Sequence, residues 1–166
     1  MIEMVIVMMI IGIIAAIALP RFAEADSGRR LSAARRTLLS DIETVKLRAR
    51  ATSKVHVIKF YIDKDKYIVF EGTELNRAAV VFARDFNDEP YGVNLNRTSL
   101  GVETQAAITV YGEISPAFTV GILDNNIEIT VDIAGGADHG IPITGSLTSD
   151  EVDSVKVADI AVEVVK

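Results

Sequence analysis

From Met4 to Leu19 every residue is apolar or glycine, a run of 16. Glu3 stands just ahead of this run and Pro20 closes it. As a helix the run rises about 24 Å at ~1.5 Å per residue. That is marginal against a hydrocarbon layer of ~30 Å, unless the helix continues past Pro20. Further on, Leu31, Ala34, Leu38, Ile42, Val45 and Ala49 recur at spacings of three and four, the mark of one apolar stripe on a helix. Residues 21–54 therefore read as a single amphipathic helix. Asp26-Ser27-Gly28 is its weak spot, a place to bend or fray.

At Val55 the period changes to two. In "VHVIKFYID" Val55, Val57, Lys59 and Tyr61 share one face, and His56, Ile58, Phe60 and Ile62 share the other. "KYIVFEG" follows after Lys64-Asp65, so 55–71 is predicted as a hairpin. Further strands are predicted at 78–83, 91–95, 106–112, 117–123, 127–133 and 157–165. Asp124-Asn125-Asn126 is expected to be a turn, 134–140 a loop and 144–154 an exposed polar segment. The expected architecture is α+β: a long N-terminal helix, its apolar half protruding, packed on an antiparallel sheet. Three parts follow: a hydrophobic helix over 1–20, an amphipathic stem over 21–54 and a β-rich body over 55–166. A continuous 1–54 helix would be a rod of about 80 Å at ~1.5 Å per residue.

Composition narrows the chemistry. The 166 residues include no cysteine, which excludes disulfides and thiolate metal sites. The net charge of −6 is unevenly spread. Residues 21–54 hold nine Arg or Lys against four acids, whereas 55–166 hold eight against eighteen. A basic stem and an acidic body can attract between copies, or can simply be two solvated surfaces. The pairs Arg29-Arg30 and Arg35-Arg36 lack any nucleic-acid module around them, so no nucleic-acid partner is expected.

Glu3 discriminates among readings of the apolar run. A signal peptide wants a basic start, and this one has an acid; Ala16-Ile17-Ala18 and Ala23-Glu24-Ala25 fit its cleavage pattern. A plain anchor explains the apolarity and leaves Glu3 unexplained. A core helix needs more body than this chain has to wrap it. A charge deep in a bilayer costs roughly 2.5–3.5 kcal/mol on insertion scales and usually has a partner. The chain's own first basic residue is Arg21, about 27 Å along the helix at ~1.5 Å per residue. The best counter-charge is then a terminal amine on a neighbouring copy.

"IEMVIVMMIIGIIAAIALPRF" resembles the N-terminal signature of type IV pilins and type II secretion pseudopilins. Ile2-Glu3 match the Ile-Glu of that family's mature Phe-Thr-Leu-Ile-Glu start, Gly12 its glycine and Pro20 its proline. Met1 stands where the family has leucine, and the family's leader, cleavage-point glycine and Phe-Thr pair are missing; one reading is that a leucine codon was taken as the start, which the upstream DNA tests. The resemblance implies a pilin-like fold and a single-pass protein of the bacterial inner membrane with a periplasmic globular domain. It further implies N-terminal methylation and assembly into a filament whose core is the 1–20 helix. Other subunits, the inner membrane and the secretion assembly platform are the implied partners. Glu3, Met1, Gly12 and Pro20 are the implied assembly residues, with Gly12 and Pro20 as helix weak points.

"SAARRTLLSDIETVKLRARATSKVHVIKFYIDKDKYIV" is similar to the minor pseudopilins of the H type, as is the later "ITVYGEISPAFTVGIL" with "IEITVD". The expected function is thus a structural subunit, most like a minor pseudopilin supporting protein secretion. A major pilin forming the fibre bulk and a membrane-anchored binding module are the alternatives. Enzymatic chemistry is not expected. His56 reads as a packed strand residue. His139, beside Asp138 and near Asp132, is a conceivable metal contact. Asp124, Asn125, Asn126 and Glu128 offer oxygens to calcium without EF-hand spacing, and a hairpin turn explains them better. There is no P-loop, nucleophile elbow or triad, and no cofactor is expected.

Overall fold

The computed structural model describes residues 2–136 and 140–155, with the side chains of 17–24 left out. Its first element is one helix, α1 (Ile2–Thr52), 51 residues long. It runs unbroken through Gly12, Pro20 and Gly28. The helix is not interrupted at the weak spot Asp26-Ser27-Gly28. Ser27 is fully buried there and Arg30, one turn on, is held by an ion pair, so the body splints the weak stretch.

Two antiparallel sheets lie against α1. One has five strands in the order β3 (Val80–Asp85), β2 (Lys66–Glu71), β1 (His56–Tyr61), β5 (Gln105–Ile108), β6 (Ile114–Ser115). The other has three, β4 (Asn94–Thr98), β7 (Phe118–Asp124) and β8 (Ile127–Ile133). A lone Glu74–Thr144 bridge lies outside them. The predicted hairpin is β1–β2, in register from His56–Glu71 to Tyr61–Lys66, turned by a short 3₁₀ segment and by Asp65 at φ 52°. β7 and β8 are joined by Asn125 and Asn126 at φ 45° and 66°, left-handed conformations that asparagine tolerates. The predicted 106–112 strand stops at Ile108, and Thr109–Gly112 turns the chain into β6. The predicted 78–83 strand is displaced by two residues, because Asn76 caps a 3₁₀ turn over 77–79. The predicted 91–95 strand starts three residues later, after a turn in which Tyr91 and Gly92 donate to the Asp88 carbonyl.

The six stripe residues of α1 are all at most 2 % exposed. They meet the alternate residues of the strands: Ile58 and Phe60 from β1, Tyr67 and Val69 from β2, Ile108 from β5, Val120 and Ile122 from β7, Val131 and Ile133 from β8. A chain of rings, Phe118–Phe60–Tyr67–Phe86–Tyr91, runs through this layer with centroids 5.5–5.7 Å apart. Fully burying such a side chain contributes ~1.5–3 kcal/mol.

The five-stranded sheet is also covered on its far face, which the polar look of 144–154 conceals. That segment contains α2 (Ser149–Ser154), begun by a capping box between Thr148 and Glu151. Leu147 and Val152 pack over Val57, Ile68, Phe70, Leu75 and Ala83. Lys64 fastens α2 through Asp153 at 2.6 Å and the Ser149 carbonyl at 2.9 Å. Of the remaining expectations, the 157–165 strand lies outside the described residues, as does part of the 134–140 loop.

Candidate functional site

The body takes only the C-terminal part of α1. Its first contacts along the helix are made by the β7–β8 turn. Asn125 Nδ2 donates to Ser27 Oγ at 3.0 Å, and Arg30 Nη2 lies 3.1 Å from Asp124 Oδ2. These residues, weighed as calcium ligands, instead fasten the turn to the helix. Ahead of this junction, every residue of 2–16 is exposed, and the large apolar side chains between Ile2 and Ile14 are 48–77 % exposed on all sides of the helix. Glu3 sits in the first turn of α1, also exposed, where a carboxylate gains from the helix dipole. A Cβ added at Gly12 would meet nothing within 4 Å, so no neighbour among the described residues requires glycine there. The side chain of Pro20 and all of Met1 lie outside the described residues. Among the described residues no helix is long and apolar enough to cross a membrane.

The stem is locked to the sheets by a buried polar group that the apolar pattern passes over. Asp41, 6 % exposed, accepts from Tyr67 Oη at 2.5 Å and from Arg84 Nε and Nη2 at 3.0 and 3.3 Å. One carboxylate thus joins α1 to β2 and β3. Burial first, then the Asp41 charge, pushes the Tyr67 hydroxyl well above its ordinary range, so it stays a donor. Burial alone would lower the Arg84 guanidinium, but the Asp41 carboxylate outweighs it and raises it. The clue in the sequence is an acid wedged between Leu38 and Ile42, on the flank of the stripe.

At the other end of the stem, Arg50 Nε donates to the Tyr111 carbonyl at 2.7 Å. His56 is fully buried beneath this end, with Nδ1 3.1 Å from the Lys54 carbonyl. Burial depresses its pKa, chiefly opposed by that carbonyl and by Glu71. It is a packed residue of β1. His139 and Asp138 lie outside the described residues. Among those described, no group of three or more metal-ligating side chains forms.

Arg29, Arg35, Arg36 and Arg48 are exposed on α1, away from the buried stripe. The arrangement as a whole offers one unburied apolar rod tipped by an acid, a basic stem, and a body that grips the stem alone. Comparison with protein-family models, with curated proteins and with solved structures finds no match.

Proposed function

We propose that this chain is a subunit of a pilin-like filament, most like a minor pseudopilin of type II secretion, assembling through its N-terminal helix. The observation that carries this reading is the all-round exposure of Ile2–Ile14 on a helix whose first turn holds Glu3. Each large apolar residue left in water forgoes ~1.5–3 kcal/mol of burial. Among the described residues the body supplies no surface for them, so lipid and then other copies do. The inner membrane holds the helix before assembly, with the body on the periplasmic side. In the filament the helices bundle, Gly12 admits a close neighbour, and Glu3 pairs with the terminal amine of an adjacent subunit. Two charges are neutralised in an apolar setting only when subunits meet. Gly12 and Pro20 weaken the intervening helix, which makes that stretch the easiest to unwind during packing.

Glu3→Val tests this. The variant is expected to fractionate with membranes as the parent does and to fail to join filaments, read by crosslinking between copies. Normal incorporation rules out the pairing. A membrane-anchored binding module instead stays monomeric in detergent and is indifferent to the substitution.

A further inference from the structure

From Ser27 to Ser40, α1 carries four arginines and no acid. Arg30 is paired with Asp26 and Asp124. Arg29, Arg35 and Arg36 are exposed and make no ion pair among the described residues. Arg29 and Arg36 stand seven residues apart, about two turns, and so share one face of the helix. Arg36 is two residues from each of the buried Ala34 and Leu38, about 200° round at ~100° per residue, so that face points away from the sheets. Ser32, Ala33 and Ser40, all exposed and small, leave room for another surface to approach the two guanidinium groups.

The loop over 87–92 carries the opposite charge at the same height on the molecule. Tyr91 Oη and Thr37 Oγ1 share a hydrogen bond of 3.0 Å, and a Cβ added at Gly92 would lie 3.6 Å from Arg30 Nη1. The loop therefore runs beside residues 30–37 of α1. Phe86 and Tyr91, packed edge to face at 5.5 Å, root it in the core. Its Asp88 and Glu89 are exposed and make no ion pair among the described residues. Arg30 and Thr37 each follow one arginine of the row by one position, so the loop sits about 100° round the helix from that row. Complementary patches on two different faces make a heterologous contact, the kind that propagates from copy to copy into rings or helical fibres.

We propose that the Asp88-Glu89 loop of one copy docks on the Arg29 and Arg36 row of the next. This rests on the filament reading and names two surfaces that meet outside its apolar core. A second copy is the occupant that suits, because rods bundled in parallel bring equal heights together, and each copy then offers its row to one neighbour and its loop to another. Arg29 and Arg36 are about 10 Å apart along the axis at ~1.5 Å per residue, so a rise of that size between copies still leaves one arginine opposite the loop. Exposed ion pairs add little affinity. They fix partner, angle and register in a contact whose energy comes from the apolar rods.

The chain has no cysteine, so introduced thiols report contacts cleanly. Two differently tagged copies of the full chain are produced together in membranes, one with Ala33→Cys beside the row and one with Asn87→Cys beside Asp88, and treated with a short thiol-to-thiol reagent. A crosslink between the two tags is expected. Arg29→Glu with Arg36→Glu in the first copy should lower its yield about fivefold, the scale of an exposed ion pair lost, as should Asp88→Lys with Glu89→Lys in the second. Both reversals together should restore the yield, which a misfolded variant does not do. A yield unchanged by either reversal, or not restored by the two together, overturns the proposal. So does binding to anionic-lipid vesicles that is lost on reversing the row, with no crosslink between copies, which assigns the arginines to headgroups. Copies that join filaments, judged as for Glu3→Val, and never crosslink at this pair overturn the docking and leave the filament reading standing. Failure of the copies to associate at all removes both.

Discussion

Tyr67 Oη donates to Asp41 Oδ2 at 2.5 Å, across the boundary between the stem helix and the sheet. The acceptor comes from the flank of a buried apolar stripe and the donor from a strand centre, and neither is solvated. The same carboxylate neutralises Arg84. Position along α1 is thereby fixed by a polar group inside an otherwise apolar contact. Leucines and isoleucines set that a helix packs; this group sets its register.

Removing the carboxylate is expected to cost more than removing the hydroxyl. Asp41→Ala strands the Arg84 guanidinium and should destabilise by about 3 kcal/mol, the lower end for breaking a buried pair. Tyr67→Phe forgoes one hydrogen bond to a charged group, about 1.5–3 kcal/mol. Urea unfolding of the full chain in detergent measures both. The double variant should lose clearly less than the sum, because one network is removed once.

His56 makes stability fall on mild acidification. Its pKa in the fold is depressed below the ordinary ~6.5, so the native state favours the neutral ring. That contribution is present above about pH 6.5 and is lost as pH drops below it toward the folded value. Arg48 and the Lys54 ammonium oppose protonation, and the Lys54 carbonyl and Glu71 favour it. His56→Gln should flatten the unfolding midpoint between pH 7 and 5. Losses at the Glu71 and Glu151 carboxylates, both held low by hydrogen bonds, come at more acid pH and should remain. An unchanged slope in His56→Gln would show that the ring does not titrate on unfolding.

The far-face strap should open before the fold does. Thr148→Ala removes one half of the capping box of α2, a loss of about 1 kcal/mol. Local opening then rises about fivefold. Limited proteolysis within 144–155 should accelerate by that factor while the global unfolding midpoint moves little. Cleavage at the parental rate would mean that Leu147 and Val152 hold the strap without help from the cap.

Much of the fold was legible because periodicity reports burial. The stripe from Leu31 to Ala49, the β1–β2 hairpin and β8 all stand where a period of 3.6 or 2 puts them. The strap was not legible, since Leu147 and Val152 are isolated among Thr, Ser, Asp and Glu, and two apolar residues make no period. Periodicity also does not divide the strands between two sheets: strand pairing is a long-range matter that alternation within a strand does not encode. The Asp41 group lay open to the eye as an acid beside a stripe, but its partner Arg84 is 43 residues away. Of the candidate assembly residues, Glu3 and Gly12 are solvent-facing in the single chain.

The outermost polar ties between body and helix are Asn125 on Ser27 and Tyr111 on Arg50. These points are 23 residues apart on α1, about 35 Å at ~1.5 Å per residue. A load grasped that far apart can neither slide along its shaft nor swivel about it. The stem from Ser27 to Arg50 and the two sheets therefore move as one piece, with the apolar tip left clear of it.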